Sequence, residues 1–320
     1  MTSRVLEAPR YPYLNLRVYQ DNGSLLAALG IPTDPRDRYV SAGMLYRYCS
    51  LVFLFSEENE WAIYKLRRNR TPGPALRPSG RALVDPGNYI VLDKDQNPTA
   101  INLTTNSAPR RVTTRDPDTQ SRGRNDRDRL VSRSFRNSLR ERDSCCAITG
   151  QTRLINSERP FLGLDATHVF PVCMIEEWRR DGYRKYITDT RPHSDIGESG
   201  LYSAQNGLLR ADIHPHFDGF QTGIDPDSDY EIIVFGLDPG RIGGTRLKES
   251  ARNGPGRVSA DLLRWHLHMC LYSNLKANTE PKTIWEEDLG EDPMSEILSQ
   301  SDAAQRMEVE LFTRLGGLIA

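Results

Sequence analysis

No stretch of this sequence is apolar enough to cross a membrane. The longest apolar run, around residues 51–55, is far shorter than the ~18–20 residues of a spanning helix. Met1–Tyr13 holds prolines and charges where a signal peptide has its apolar segment. The five cysteines form no C-x-x-C pair, which indicates neither a disulfide framework nor a four-cysteine zinc site. We therefore expect an intracellular protein of the cytoplasm or nucleus, with no membrane partner and no structural zinc.

The sequence also has no excess of basic over acidic residues. The 42 basic and 43 acidic side chains leave a net charge of −1, which excludes a uniformly basic protein that coats nucleic acid. Histidine is absent from residues 10–103, and all six histidines lie in the second half of the chain. The 320 residues suggest about two domains. We expect any acid–base chemistry in the second domain.

Residues 1–103 are predicted to form a small α+β scaffold domain. Alternating or continuous apolar patterns at 14–19, 60–66 and 88–92 predict strands, and the apolar stretch 40–55 predicts a buried helix. Residues 24–29, ended by Gly30, are interpreted as a short helix. With no histidine, this domain is expected to support the site and not to contain it.

An arginine-rich segment follows. Residues 104–126 have almost no large apolar side chains, which predicts a mobile linker. From Arg127 a helical pattern begins, formed by Leu130, Val131, Phe135 and Leu139. Residues 104–142 contain 11 arginines against five acidic residues. This segment is either a solvated linker and helix face or an arm that binds phosphates, for which the candidates are Arg133, Arg136 and Arg140.

Three motifs follow in order within residues 127–278, before a helical extension predicted for 279–320. Residues 145–150 are C-C-A-I-T-G, residues 164–171 are L-D-A-T-H-V-F-P, and residues 206–218 are N-G-L-L-R-A-D-I-H-P-H-F-D. The first two have the pattern of short strands that end in a turn or at a proline. In the third, Pro215 suits the first turn of a helix that begins near His214.

These motifs resemble the HNH family of ββα-metal endonucleases, and in particular the HNH variant common in fungal proteins. The resemblance covers about Cys145–Phe235. It implies an α+β fold, with a ββα-metal domain and added helices behind the N-terminal domain. It also implies hydrolysis of phosphodiester bonds in DNA, with RNA as the other substrate, and a divalent cation, Mg²⁺ or Mn²⁺.

The resemblance also implies roles for individual residues. His168 is the expected general base, because an imidazole of near-neutral pKa can accept a proton from water. Asn206 is expected to brace the loop and orient the base. His214 and Asp218, four residues apart on one helix face, are the expected metal ligands. Arg210 is expected to bind phosphates together with the arginine segment.

One departure from the family leaves alternatives open. Many HNH enzymes have an Asp or His metal ligand directly before the base, where this sequence has Thr167; Asp165, three residues before the base, is the candidate for the missing carboxylate. The alternatives are small-molecule chemistry, such as an isomerisation or cyclisation with His168 and Asp165 as base and acid, or an inactive binding module. An open positive groove at His168 would favour a nuclease, and a closed apolar pocket would favour the small-molecule enzyme.

Overall fold

The computed structural model describes residues 6–9, 12–55, 60–110, 126–154, 157–210, 214–238, 240–277 and 282–283. The strands are β1 Leu16–Tyr19, β2 Leu25–Leu29, β3 Phe53–Phe55, β4 Trp61–Leu66, β5 Pro72–Ala75, β6 Gly87–Asp93, β7 Ile101–Leu103, β8 Pro109–Arg110, β9 Asp165–His168, β10 Gly207–Arg210, β11 Thr222–Asp225, β12 Glu231–Val234 and β13 Lys282–Thr283. The helices are α1 Ala42–Val52, α2 Asp126–Arg142, α3 Ile175–Arg180, α4 His193–Ile196, α5 His214–Asp218, α6 Glu249–Arg252 and α7 Ala260–Asn274. In these parts of the chain, no helix combines the length and apolar character that a membrane crossing requires.

The N-terminal region is built on a five-stranded sheet in the order β2-β1-β6-β4-β5. Strand β1 is parallel to β6 and antiparallel to β2, and β4 is antiparallel to both β5 and β6. The predicted strands therefore form, but the helix predicted over 24–29 is wrong. All five residues of β2 are buried, and the turn at Gly23 (φ 90°) folds β2 back onto β1. An all-apolar pentapeptide has no periodicity that separates a strand buried on both faces from a helix.

The buried helix is confirmed as α1. Ser41 caps it by accepting a hydrogen bond from the Met44 amide, and seven of its 11 residues are buried. Its side chains belong to a hydrophobic core that continues into the second half of the chain. At this junction, Asp225 accepts hydrogen bonds from the Tyr48 hydroxyl (2.8 Å) and from Arg47 (2.7 Å). The N-terminal sheet and the motif-bearing region thus share one core.

The second half places α2 and α7 around two short antiparallel pairs, β9–β10 and β11–β12. The helix predicted from Arg127 is confirmed as α2, in which Val131, Phe135 and Leu139 are buried at every fourth position while Leu130 is exposed. Trp178, on the helix α3 that separates the two strands of the motif, is 1% exposed, as expected for an inserted helix that packs inward. Most of the predicted linker (111–125) and nearly all of the predicted C-terminal extension (279–320) lie outside the described residues.

Candidate active site

The site is built on the two-stranded hairpin β9–β10. The strands pair in regular register, with His168 opposite Gly207 and Asp165 opposite Arg210. Because side chains alternate along a strand, Ala166 and His168 point to one face, and Asp165, Thr167 and Arg210 belong to the other. The two faces have different neighbours: α2 covers the first, and α5 and α7 lie behind the second.

On the first face, His168 is held between aromatic side chains. Its ring stacks on Phe135 of α2, with centroids 4.1 Å apart and an interplanar angle of 11°, and it packs against Tyr202 in a T-shaped arrangement, with centroids 5.0 Å apart. The side chain is half-buried, and its Nε2 atom is buried. Gly207 permits this approach, because a Cβ at that position would lie 2.6 Å from the Phe135 ring. The ring plane of His168 is therefore fixed by α2 while part of the imidazole stays accessible.

Asn206 makes the contacts expected of a brace. Its side chain is fully buried and holds both polar groups of Phe170: Oδ1 accepts from the amide (2.8 Å), and Nδ2 donates to the carbonyl (3.2 Å). Nδ2 also donates to the Leu201 carbonyl at 3.0 Å. These bonds fix the chain directly after His168, so the direction in which the imidazole leaves β9 is set by a buried amide.

A second polar network supports the loop that precedes Asn206. Asp189 pairs with Arg191 (2.7 Å) and accepts from the Ser203 hydroxyl (2.6 Å), and Arg191 donates to Ser138 of α2 (2.6 Å). Burial raises the pKa of Asp189, but the hydrogen bonds from Arg191 and Ser203 more than offset this and lower the pKa to about 2. The carboxylate is thus charged at neutral pH and ties α2 to this loop.

Arg142, at the end of α2, has a structural role that sequence analysis missed. Its guanidinium donates to the carbonyls of Ala204 (2.9 Å), Gly207 (3.0 Å) and Gly256 (3.0 Å). It also pairs with the buried Asp143 at 2.5 Å. An arginine in a basic segment gives no sequence signal for such a position, since charge alone does not distinguish a buried hub from a solvated face.

On the second face of the hairpin, Arg210 is buried in an ion pair. Its guanidinium lies 3.2 Å from Asp218 Oδ1, with the two side chains 0% and 6% exposed. The Cζ atom lies 4.5 Å from the centroid of the Phe217 ring, and that ring also stacks on His266 of α7 (3.7 Å, 11°). Arg210, Phe217 and His266 thus form one packed unit behind the hairpin.

This unit corrects two expectations. Arg210 cannot meet phosphates, because its guanidinium is enclosed by protein. Asp218 is not open to an ion, because its carboxylate is held by Arg210. The helix does begin at His214 as expected, but the side chain of His214 lies outside the described residues, so its metal role stays a prediction.

The described donors do not fit the divalent cation that the resemblance implies. Within the described ranges, no group of three or more His, Cys, Asp or Glu side chains could hold an ion. Thr167 is 5% exposed and offers only a neutral hydroxyl. An ion bound to Asp218 would lie next to the buried positive charge of Arg210, which is unfavourable where little water screens the charges.

Asp165 does not supply the missing carboxylate beside His168. The regular register of β9 directs the two side chains to opposite faces of the strand. Asp165 is exposed and lines a cleft next to Arg140. The expectation that these residues act together as acid and base is therefore not met by the geometry.

The three candidate arginines of α2 share one side of the helix. Arg133, Arg136 and Arg140 are spaced by three and four residues, which places them on one face. Arg133 is exposed and the other two are half-exposed, next to the buried stripe that contacts His168. We call this surface the arginine face (Arg133, Arg136, Arg140).

The comparison with protein families agrees with the motifs. Residues 146–225 match the family model of the HNH endonucleases. No match was found among curated proteins or among solved structures. This part of the chain is therefore similar to an HNH endonuclease domain and lies within a mixed α+β fold, and a domain of this class suggests nuclease activity in general. HNH nucleases typically use divalent metal ions.

Proposed function

We propose that this protein is an HNH-type endonuclease that hydrolyses phosphodiester bonds in DNA, with RNA as the other substrate. One observation carries the proposal: the half-buried imidazole of His168 is oriented by Phe135 and Tyr202 and leaves a strand end that Asn206 braces. Preorganisation of this kind is what a general base requires, because proton transfer depends on a fixed geometry.

In this mechanism His168 accepts a proton from the attacking water. The stacked and edge-on aromatic rings restrict the imidazole, and the hydrogen bonds of Asn206 hold the chain after it, so the accepting nitrogen keeps one direction. The arginine face of α2 binds the backbone phosphates next to the scissile bond. No step is assigned to a metal ion, because the described donors do not form a site for one.

The proposal is tested by a cleavage assay on supercoiled plasmid and on single-stranded DNA, with Mg²⁺, Mn²⁺ or EDTA. Loss of the base should lower the rate about 10²- to 10⁴-fold in His168→Ala, with the unfolding midpoint little changed. His193→Ala is the matched control, since His193 is exposed and begins the short helix α4. Cleavage by purified His168→Ala at the parent rate would rule out this mechanism.

A small-molecule acid–base enzyme is the second candidate, and the Arg210–Asp218 pair favours it. Calorimetric titration with Mg²⁺ and Mn²⁺ separates the two functions. Binding that disappears in His214→Ala would support a metal-dependent nuclease in which Asp218 leaves Arg210. The absence of binding at millimolar metal, together with the absence of cleavage, would favour the small-molecule enzyme with His168 as its base.

A further inference from the structure

A cleft of about 420 Å³ opens beside α2, near the end of β9 that is opposite His168. Its wall is formed by residues 158–165 together with Arg140. Phe161 supplies the aromatic ring, and two guanidinium groups pack over it, with Cζ of Arg140 and of Arg153 lying 4.9 Å and 5.9 Å from its centroid. We call this feature the Phe161 cleft. Its volume is within the range of small-ligand sites in proteins.

The chemistry of the lining suits a flat heteroaromatic ring better than a phosphate. Arg140 and Arg159 are balanced by Glu158 and Asp165, so the opposite charges cancel within the cleft. A phosphate would meet two carboxylates there. A nucleobase instead presents a π-face for the aromatic ring and both donors and acceptors on its edge, which guanidinium and carboxylate groups can satisfy.

Apolar residues beside the cleft favour the same ligand. Leu162 is 61% exposed and lines the cleft, and Leu154, 48% exposed, is tied to the same loop by a hydrogen bond from its amide to the Pro160 carbonyl (2.7 Å). Exposed leucines next to an aromatic ring form an apolar surface, and the faces of a planar base can be transferred from water to such a surface at little cost in free energy.

The position of the cleft relates it to the candidate base. Asp165 lines the cleft and His168 ends the same strand, so their Cα atoms lie about 10 Å apart at ~3.3 Å per residue, with the two side chains on opposite faces of β9. This separation matches about three stacked nucleotides at ~3.4 Å each. The arginine face of α2 continues from Arg140 along the helix, where it can follow the phosphates of the same strand.

We propose that the Phe161 cleft binds an unpaired base of the strand that His168 cleaves, and that the protein therefore prefers single-stranded nucleic acid. This inference rests on the proposed function. The bases of an intact duplex are stacked and paired, so a cleft that accepts one base in stacking contact selects strands whose bases are free.

The test measures binding and not cleavage. Fluorescence anisotropy is recorded with the full chain in a His168→Ala background and EDTA, on a fluorescein-labelled single-stranded 12-mer and on its duplex. Removal of the ring in Phe161→Ala should weaken single-strand binding about 5- to 100-fold and leave duplex binding unchanged. Phe161 also packs on the core, so Phe161→Leu is measured as well, because it keeps an apolar side chain without an aromatic face.

Two further variants complete the design. Phe161→Tyr retains the ring and should bind the single strand within about twofold of the parent. Leu237→Ala removes another exposed apolar side chain, 72% exposed and outside the cleft, and should change neither affinity. Single-strand binding by Phe161→Leu equal to that of the parent would overturn the proposal, as would equal losses for single strand and duplex. In both cases the nuclease function would stand, whereas no binding of either nucleic acid by the parent would overturn both.

Discussion

Two histidine–phenylalanine stacks lie on opposite faces of the hairpin β9–β10. Both have an interplanar angle of 11°, but the two histidines differ in burial. His168 stacks on Phe135 and is half-buried. His266 stacks on Phe217 and is fully buried, with Nε2 3.1 Å from the Phe217 carbonyl and Nδ1 3.6 Å from Cys270 Sγ. The same pair of residue types thus occurs once at an accessible strand end and once in the core.

The two histidines also differ in the hydrogen bonds that their ring nitrogens make. A carbonyl can only accept, so Nε2 of His266 carries the proton and Nδ1 accepts from the thiol of Cys270. Both ring nitrogens are engaged by the protein, and the ring serves packing. Stacking therefore does not identify a functional histidine; the two rings differ because His168 is half-buried whereas His266 is fully buried.

The largest effect on stability should follow from breaking the ion pair behind the hairpin. Arg210→Met leaves the Asp218 carboxylate buried without its partner and should lower the free energy of unfolding by about 3–5 kcal/mol. The double variant Arg210→Met/Asp218→Leu removes both charges and should recover most of this loss. Urea denaturation measures both variants. A single variant within ~1 kcal/mol of the parent would show that this face is not a closed structural unit.

His266→Ala should lower the stability and leave the chemistry intact. It removes a core ring and leaves the Phe217 carbonyl without its donor, which should lower the free energy of unfolding by about 2–4 kcal/mol. Cleavage per folded molecule should stay near the parent rate at low temperature, the reverse of His168→Ala. The control His268→Ala, on the same helix and half-exposed, should cost under about 1 kcal/mol. Loss of cleavage in folded His266→Ala would remove the distinction between the two stacks.

Loss of the Phe135 ring should have a smaller effect on catalysis, because this ring only orients the His168 imidazole. Phe135→Leu keeps an apolar side chain on α2 but removes the aromatic face, which should lower kcat about 2- to 10-fold with KM unchanged. Leu139→Met is the matched control, because Leu139 is buried one helical turn further along α2. An equal fall in kcat for both variants would mean that α2 acts only through general packing.

The smallest effect is expected at Glu231. Asp218 is paired with an arginine, whereas Glu231 is partly buried near another carboxylate, Asp225. Burial, followed by the nearby charge of Asp225, raises the pKa of Glu231 from 4.5 to about 7. The folded state then holds a proton that the unfolded state releases, so this stability is present below pH ~4.5 and is lost as the pH rises through ~7. Glu231→Gln should raise Tm at pH 8 and leave it unchanged at pH 4. Glu141→Gln, which replaces an exposed carboxyl, is measured as the control.

Several features of the site follow from local sequence. The helix start at His214 follows from Pro215, and the strand that carries His168 ends where proline follows. The brace at Asn206 belongs to a contiguous motif, N-G-L-L, whose first residue meets the loop after His168 because β10 pairs with β9. Local signals of this kind need only turn chemistry and strand pairing.

Other features depend on which groups the tertiary fold encloses. Arg210 and Asp218 are separated by a turn that brings them together behind the hairpin, and no spacing rule distinguishes that ion pair from a phosphate contact. Arg142 and Arg133 are arginines of the same helix, yet Arg142 is half-buried and donates to three backbone carbonyls, whereas Arg133 is exposed. Strand β2 was missed for a related reason, since burial on both faces erases the alternation that identifies a strand.

The close approach of Phe135 at Gly207 determines which residues a functional fragment of this protein must include. The family match starts at residue 146, but the ring that flattens against the imidazole comes from Phe135 and reaches it across Gly207. A fragment that starts at residue 146 would lack Phe135, so Ala166 and Gly207 would be exposed to water and His168 would keep only its ring contact with Tyr202. A fragment that keeps the geometry of the site must therefore include the arginine-rich helix α2 (Asp126–Arg142) as well as the matched region.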